Sequence, residues 1–240
     1  MTASLSPRSS AARAFAWGGG VVFVASLAWF VYFYYAVLGN RPAPRAVFAP
    51  HLIIDLLLFT LFAGHHSVFV RDPVKQILTR WIPPALERST YVWIASALFL
   101  LVCIAWQPIP GGELYALHGW WAWPGVGAQL VGFGLTARSA GALDGLELAG
   151  IRQARGDVCP QHLRIVGPYR WVRHPLYLGW MLFVFGAPAM TVDRLVFAAI
   201  SSAYLLVAIP WEERSLMLSV GGPYRQYTQQ VKWRVLPWVY

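Results

Sequence analysis

Six long apolar segments, separated by short polar loops, constrain the fold of this 240-residue chain more than any other feature of its sequence. A helix needs about 20 mostly apolar residues to cross a bilayer, and within lipid only helices and closed barrels satisfy their backbone polar groups. Charged residues make up 12% of the chain, about half the fraction of a typical soluble domain. The sequence therefore predicts an all-α integral membrane protein. The apolar segments cover residues 14–38, 50–70, 90–107, 119–138, 175–190 and 192–210.

The last two segments are shorter than a full span and are joined by a tight turn at Thr191, Val192 and Asp193. They predict a C-terminal helical hairpin whose tip need not cross the membrane. The pattern therefore leaves five and six transmembrane helices both open.

Basic residues in the loops predict the orientation of the chain. Lys and Arg cluster in the loops at 71–88 and 138–173 and in the tail beyond residue 213, whereas the loop at 107–118 contains neither. Because cytoplasmic loops carry an excess of Lys and Arg, we expect both termini to lie on the cytoplasmic side of the cytoplasmic membrane. Arg41 and Arg45 are exceptions to this pattern.

The net charge of +9 does not indicate a nucleic-acid-binding protein. Seventeen of the 19 basic residues are Arg, and they lie mainly between the apolar segments. A nucleic-acid-binding chain would instead present a basic face with interleaved aromatic residues. We therefore expect contact with membrane lipid and not with nucleic acid, and the sequence predicts no particular oligomeric state.

The segment Gly167–Leu178 (GPYRWVRHPLYL) places charge beside the fifth apolar segment, where charged side chains are costly and usually functional. Pro175 suits the first turn of a helix, which predicts His174 as the N-cap and Arg173 just outside the helix. Tyr177 then shares a helix face with His174. Free N–H groups, a guanidinium and an imidazole together predict a site for a carboxylate or a phosphate.

Glu212 and Glu213 follow the sixth apolar segment and supply the opposite charge. We expect the last helix to continue to Val220, because two glycines follow, and helical spacing then turns Glu213 inward. A buried carboxylate needs a partner. A structural ion pair with Arg173 or Arg214 is the alternative to a role in binding a ligand.

A pocket with a cationic end and an anionic end suits a zwitterionic ligand with an apolar body. S-adenosylmethionine is such a ligand, although composition and spacing alone do not single it out. Aromatic side chains near the two charged motifs can stack on such a ligand; they are Trp171, Tyr177, Tyr224 and Tyr227. The sequence Gly-Pro-Tyr-Arg occurs at both 167–170 and 222–225, which leaves open either two independent turns or a shared role in closing one pocket.

His65 and His66 end the second apolar segment. Adjacent residues point to different faces of a helix, so at most one of the two histidines faces a pocket. A hydrogen bond to a neighbouring helix and a catalytic role both remain open for it. The six histidines include no His-x-x-His or His-x-x-x-His pair, so a metal-dependent oxygenase is not indicated and we expect no bound metal.

In their order along the chain, these motifs resemble the isoprenylcysteine carboxyl methyltransferase superfamily of integral membrane enzymes. The resemblance covers about residues 165–237 and rests on GPYR, RHPLYLG, the Glu212–Glu213 pair, the spaced tyrosines after it and a terminal Leu-Pro. The N-terminal half is similar to the methanethiol S-methyltransferase branch. The motifs that carry this similarity are Tyr35–Asn40, His66-Ser67 with Arg71, Glu87–Val92 and Trp106–Pro108.

The resemblance implies an enzyme that uses S-adenosylmethionine to methylate a small thiol, such as methanethiol, to dimethyl sulfide. Residues 1–140 would then form four helices on the substrate side, and residues 141–240 the cofactor-binding and catalytic region with a cytoplasmic pocket. We predict catalytic roles for Arg173, His174, Glu213 and His66. The predicted cofactor-binding residues are Tyr169, His174, Pro175, Tyr177, Leu178, Glu212, Glu213, Tyr224 and Tyr227.

Two alternatives remain open. The segment 143–166 has only a loose likeness to the methanethiol branch, so the small or lipophilic acceptor stays open and includes a prenyl-cysteine carboxylate, a phospholipid amine or another small thiol. The second alternative is a non-enzymatic membrane protein of the nitric-oxide-reductase-associated type, with the charges as a structural element. A transporter is disfavoured, because its polar groups would lie near the bilayer midplane and not at one face.

Overall fold

The computed structural model describes residues 9–40, 47–69, 71–157 and 165–240, so Arg41 and Arg45 lie outside the described residues. The described chain is mostly helical. Its α-helices are α1 (Ser10–Tyr32), α2 (Phe48–Val68), α3 (Asp72–Leu78), α4 (Pro84–Ala105), α5 (Trp123–Ala142), α6 (Gly145–Leu148), α7 (Ile151–Arg155), α8 (Pro175–Phe185), α9 (Val192–Ser219) and α10 (Gly222–Gln230). A π-helical turn, Phe33–Val37, extends α1, and two 3-10 turns cover Gly119–Ala122 and Gly167–Arg170.

Four of the described helices are long and apolar enough to cross a membrane: α1 with its π-helical extension, α2, α4 and α9. Helix α5 is also 20 residues long. Helix α8 has 11 residues, about 16 Å at 1.5 Å per residue, against a hydrocarbon core of about 30 Å. The predicted apolar segments therefore all contain helices, and the fifth contains a short one.

One predicted helix end is confirmed by the structure, and two others differ from the sequence prediction. His174 is the N-cap of α8 and Pro175 its first residue, which confirms that prediction. The turn predicted at residues 191–193 is wrong, because Thr191 is the N-cap of α9 and the helix begins at Val192. Helix α4 begins at Pro84, six residues before the predicted segment, because proline is well suited to the first turn.

The first compact unit draws on residues 1–35, 50–107 and 144–160. Helix α1 packs so closely on α4 that a Cβ on Gly18 would lie 2.9 Å from the ring of Trp93. The hydroxyl of Ser89 in α4 donates a hydrogen bond to the Gly150 carbonyl at the start of α7. Helix α2 contacts the segment that follows α4 through Asp55, a buried carboxylate ten residues before His65. The N–H of Gln107 donates to Asp55 Oδ1 at 2.7 Å.

The second compact unit draws on residues 36–49, 108–143 and 161–240. Its central feature is the antiparallel packing of α5 on α8, where two glycines let the backbones approach. A Cβ on Gly132 would lie 2.6 Å from the carbonyl oxygen of Gly179, and one on Gly125 would lie 2.7 Å from that of Gly186. Helix α9 follows α8 and packs against it, as predicted for a helical hairpin.

A two-stranded antiparallel sheet in the second unit was not predicted. Strand β1 (Glu113–Ala116) pairs with β2 (Ala189–Thr191), and Ala116 is the register partner of Ala189. The all-α prediction is therefore wrong in this detail. Three- and four-residue strands are too short to produce a readable alternation of apolar and polar residues.

Candidate functional site

Five charged or ionisable side chains meet in the second unit, and we call them the charged cluster: Arg173, His174, Glu212, Glu213 and Arg234. The first two lie at the start of α8 and the two glutamates in the last turns of α9. Arg234 lies in the tail after α10. The main chain of the tail runs beside the start of α8, since the N–H groups of Arg173 and His174 donate to the carbonyls of Trp233 and Arg234 at 2.9 and 2.8 Å.

Glu213 is bound through both carboxylate oxygens. Its Oε1 accepts a hydrogen bond from Arg173 Nε at 2.6 Å and lies 3.4 Å from His174 Nε2, while Oε2 accepts from Arg234 Nε at 3.1 Å. The Glu213 side chain is only 10% exposed. The inward orientation predicted from helical spacing is thus found, and the ion pair with Arg173 that was left open as an alternative is present. Arg173 also donates through Nη1 to the carbonyls of Val231 and Lys232.

Glu212 has a different environment from its neighbour. Its side chain is 40% exposed, and its Oε2 lies 3.6 Å from His174 Nδ1. The hydroxyl of Tyr177 donates a hydrogen bond to Glu212 Oε1, and the Tyr177 ring stacks on the His174 ring with 5.2 Å between centroids. Both nitrogens of the His174 ring therefore face a carboxylate. Among the described residues no arginine forms an ion pair with Glu212, so part of its carboxylate stays accessible.

The three other tyrosines predicted for the cofactor site lie together beside the cluster. Tyr224 and Tyr227 in α10 are buried, with 2% and 3% exposure, and Tyr227 donates a hydrogen bond to the carbonyl of Tyr169 at 2.7 Å. Burial, followed by the charge of Glu212, raises the pKa of Tyr169 to about 12. Burial and the charge of Glu213 raise the pKa of Tyr224. The first Gly-Pro-Tyr-Arg sequence is thus joined by a hydrogen bond to Tyr227, two residues after the second one, and the rings of α10 fill a small core.

The remaining two predicted residues of α8 differ in exposure. Pro175 is buried in the first turn, whereas Leu178 faces an apolar groove of about 380 Å³. Leu178 lies four residues after His174, so the groove starts on the helix face that carries His174. The groove is lined by Ala128, Leu178, Met181, Leu182, Phe185, Gly186 and Leu236.

His66 belongs to the first unit, where its Nδ1 lies 2.7 Å from the hydroxyl of Tyr91. The guanidinium of Arg88 lies over the Tyr91 ring, 4.8 Å from its centroid. The hydrogen bond to a neighbouring helix that was one of the two alternatives for this histidine is therefore present. It leaves Nε2 as the nitrogen available to a further partner.

Arg234 is the member of the charged cluster that sequence reasoning missed. It stands in an apolar tail, two residues before Leu236, and belongs to none of the motifs that pointed to the site. Its neighbours in the sequence could have identified it, because a single arginine among Val, Leu and Trp residues needs a partner.

The chain is similar to known membrane methyltransferases. A model of the isoprenylcysteine carboxyl methyltransferase family matches residues 157–218. Methanethiol S-methyltransferase 2 of Bradyrhizobium diazoefficiens is 36% identical over 222 residues, which cover 87% of this chain and 85% of that protein. Methanethiol S-methyltransferase of Mycobacterium tuberculosis is 34% identical over 241 residues, which cover 91% and 92%. These matches confirm the resemblance predicted from the motifs.

A more distant similarity connects the chain to Nurim of Bos taurus, which is 26% identical over 181 residues covering 69% of this chain and 68% of that protein. No solved structure matches the chain significantly.

Proposed function

Because this chain belongs to the isoprenylcysteine carboxyl methyltransferase family and is an integral membrane methyltransferase, we propose that it methylates methanethiol to dimethyl sulfide with S-adenosylmethionine as the donor. The observation that carries the proposal is the charged cluster, which offers a guanidinium and an accessible carboxylate on either side of His174. These are partners for the two charged ends of an amino acid. The non-enzymatic alternative is not supported by the family.

The residues of the cluster fit the amino-acid part of this donor. Nε and Nη1 of Arg173 are bound to Glu213 and to the tail, and Nη2 remains for the carboxylate of the donor. Glu212 would receive the ammonium, since its carboxylate is accessible and its direct partners are Tyr177 and His174. When bound, S-adenosylmethionine supplies a methyl group on a positively charged sulfur.

Glu213 would position the site and not bind the ammonium. Both of its oxygens already accept hydrogen bonds from arginines, and such charge-assisted bonds are about twice as strong as neutral ones. Tyr169 and Leu178 would line the donor site beside Glu212 and His174, whereas Pro175, Tyr224 and Tyr227 would support it through their buried packing.

A thiol must lose its proton before it can accept a methyl group, since the thiolate is the nucleophile. Both nitrogens of His174 face carboxylates of the cluster, so we propose that the thiol proton passes to water and that the positive charges of Arg173 and of the bound donor favour the thiolate. The catalytic role of His66 stays a prediction, because the hydroxyl of Tyr91 holds its ring within the first unit. Arg173 and His174 then act by binding and orientation.

The apolar groove along α8 favours a second acceptor class. Its volume of about 380 Å³ has room for about a dozen water-sized groups, whereas methanethiol has two non-hydrogen atoms. A larger apolar thiol that places its chain along Leu178, Met181 and Leu182 would use this space. Butanethiol and hexanethiol therefore belong in the same assay as methanethiol.

The proposal includes six membrane crossings with both termini and the donor pocket at the cytoplasmic face. The loop 107–118, which has no basic residue, contains β1, and β2 at the tip of the hairpin pairs with it. The close approach of Gly125 to Gly186 brings the end of α8 to the beginning of α5. Both observations support a hairpin tip that reaches the face opposite the basic loops.

The test is donor binding and product formation by the detergent-purified protein. We expect S-adenosylmethionine to bind with a micromolar Kd in calorimetry, and dimethyl sulfide to appear in the headspace when methanethiol is added. His174→Ala removes the imidazole between the two carboxylates and should weaken binding at least tenfold. His118→Ala, an exposed histidine outside the cluster, is the matched control. A well-folded wild-type protein that does not bind the donor would contradict the proposal.

A further inference from the structure

We infer that Arg234 is a positioning residue of the donor site, which holds Glu213 and, through it, Arg173 in the binding arrangement, and that Tyr240 holds Arg234 in turn. The inference rests on the proposed function, because it concerns how the same site binds its donor. Arg234 belongs to none of the motifs that identify the family in this chain.

Glu213 is held from two directions. Arg173, which precedes α8, binds Oε1 at 2.6 Å, and Arg234, which follows α10, binds Oε2 at 3.1 Å. Each guanidinium has its own oxygen, so the carboxylate cannot rotate without breaking a charge-assisted hydrogen bond. Because the side chain of Glu213 is only 10% exposed, water does not readily replace a lost partner.

On the side away from Glu213, Arg234 is held by Tyr240. Its Nη1 donates to the Tyr240 hydroxyl at 3.0 Å, and its guanidinium lies over the Tyr240 ring, 5.1 Å from the centroid. The N–H of Arg234 also donates to the main-chain oxygen of Tyr240 at 2.9 Å. An arginine side chain loses rotamer entropy when it is ordered, and these contacts order it before the donor binds.

Glu213 acts on the proposed ligand through Arg173. Glu213 holds Nε of Arg173, and the carbonyls of Val231 and Lys232 hold Nη1. The orientation of the remaining nitrogen, Nη2, therefore depends on Glu213 keeping its place. Loss of the Arg234 side chain frees one end of the Glu213 carboxylate, while the main-chain bonds between the tail and α8 remain.

The experiment is a series of four variants with the Kd for S-adenosylmethionine as the readout. Arg234→Gln removes both the positive charge and the planar guanidinium donors, and it should raise Kd at least tenfold. Arg234→Lys keeps the charge but loses the planar Nε donor and the stacking on Tyr240, so its Kd should fall between wild type and Arg234→Gln. Tyr240→Phe removes one hydrogen bond and should raise Kd about two- to fivefold, in keeping with a net bond worth about 1 kcal/mol or less. Arg225→Gln, an exposed arginine of α10, removes the same charge away from the cluster and should leave Kd unchanged.

The thermal midpoint in detergent is measured beside each Kd, because a purely structural role would lower the midpoint and the active fraction but not the affinity of the folded protein. Equal Kd values throughout the series would overturn the inference. A wild-type Kd in Arg234→Lys would also overturn it, since charge alone would then suffice. If Arg234→Gln does not fold, Arg234→Lys and Tyr240→Phe decide the question. Failure of the wild type to bind the donor would instead contradict the proposed function.

Discussion

The adjacent glutamates of α9 differ in how much of each carboxylate remains for a ligand. Glu212 is 40% exposed and binds Tyr177, whereas Glu213 is 10% exposed and binds two arginines. We expect Glu212→Gln to raise the Kd for S-adenosylmethionine about 10- to 100-fold, since a hydrogen bond to a charged group contributes about 1.5–3 kcal/mol, with little change in the thermal midpoint. Calorimetry and thermal unfolding in detergent measure the two quantities.

Glu213→Gln should instead lower the thermal midpoint strongly. Removing one partner of a buried ion pair costs about 3–5 kcal/mol, and here two arginines would lose the same carboxylate. Glu113→Gln makes the same change in the exposed strand β1 and should alter neither quantity. A donor Kd that rises in Glu213→Gln and stays unchanged in Glu212→Gln would reverse the roles proposed for the two residues.

Helical spacing was sufficient to predict which glutamate turns inward, because α9 continues without a break through both residues. The N-cap position of His174 could also be predicted, since the proline after it marks the start of a helix. Arg234 could not be predicted in this way. It meets Glu213 through a tail with no helical or strand period, so its position depends on tertiary contacts such as those with Tyr240.

At the scale of helices, the crossing of α5 and α8 determines where the start of α8 lies. A Cβ on Gly132 would lie 2.6 Å from the carbonyl oxygen of Gly179 and 2.7 Å from the nitrogen of Phe183. Backbone atoms cannot move aside as a side chain can. We expect Gly132→Ala to destabilise the protein by about 2 kcal/mol, because an overpacking cost of up to about 3 kcal/mol exceeds the roughly 1 kcal/mol by which alanine favours a helix.

Gly134→Ala is the matched control, since its Cβ would meet nothing within 4 Å. The same gain in helix propensity should make it neutral or slightly stabilising. In detergent, the thermal midpoint of Gly132→Ala should therefore fall, whereas that of Gly134→Ala should stay the same or rise slightly. Equal midpoints would mean that α5 and α8 are not in close contact at Gly132.

Hydropathy was a good guide to the long helices and a poor guide to the short elements. Every apolar segment contains a helix, because about 20 consecutive apolar residues have few other stable states in lipid. The length of α8 could not be predicted, since the apolar residues continue beyond Phe185 while the helix ends there. The strand pair was missed because β1 and β2 are held by pairing between distant parts of the chain.

At the scale of the whole molecule, the number of crossings and the positions of the termini are not independent. With both termini in the cytoplasm, as proposed above, the number must be even, and basic loops at 71–88 and 138–173 on that same side would require α5 to cross. The four long apolar helices and α5 make five. The hairpin arm that contains α8 would then be the sixth, although its helix spans only about 16 Å. Residues 186–191, which are not helical, would complete the crossing.

Single cysteines in a background with Cys103→Ser and Cys159→Ser test this arrangement. Ala189→Cys lies on β2 at the hairpin tip, and Glu113→Cys lies on β1. We expect both to react with a membrane-impermeant maleimide in intact cells, whereas Arg225→Cys, on the exposed side of α10, should react only after permeabilisation. If Glu113→Cys reacts in intact cells and Ala189→Cys does not, the hairpin does not cross. If Arg225→Cys reacts in intact cells, the tail and the donor pocket beside it face away from the cytoplasm, where S-adenosylmethionine would not reach them.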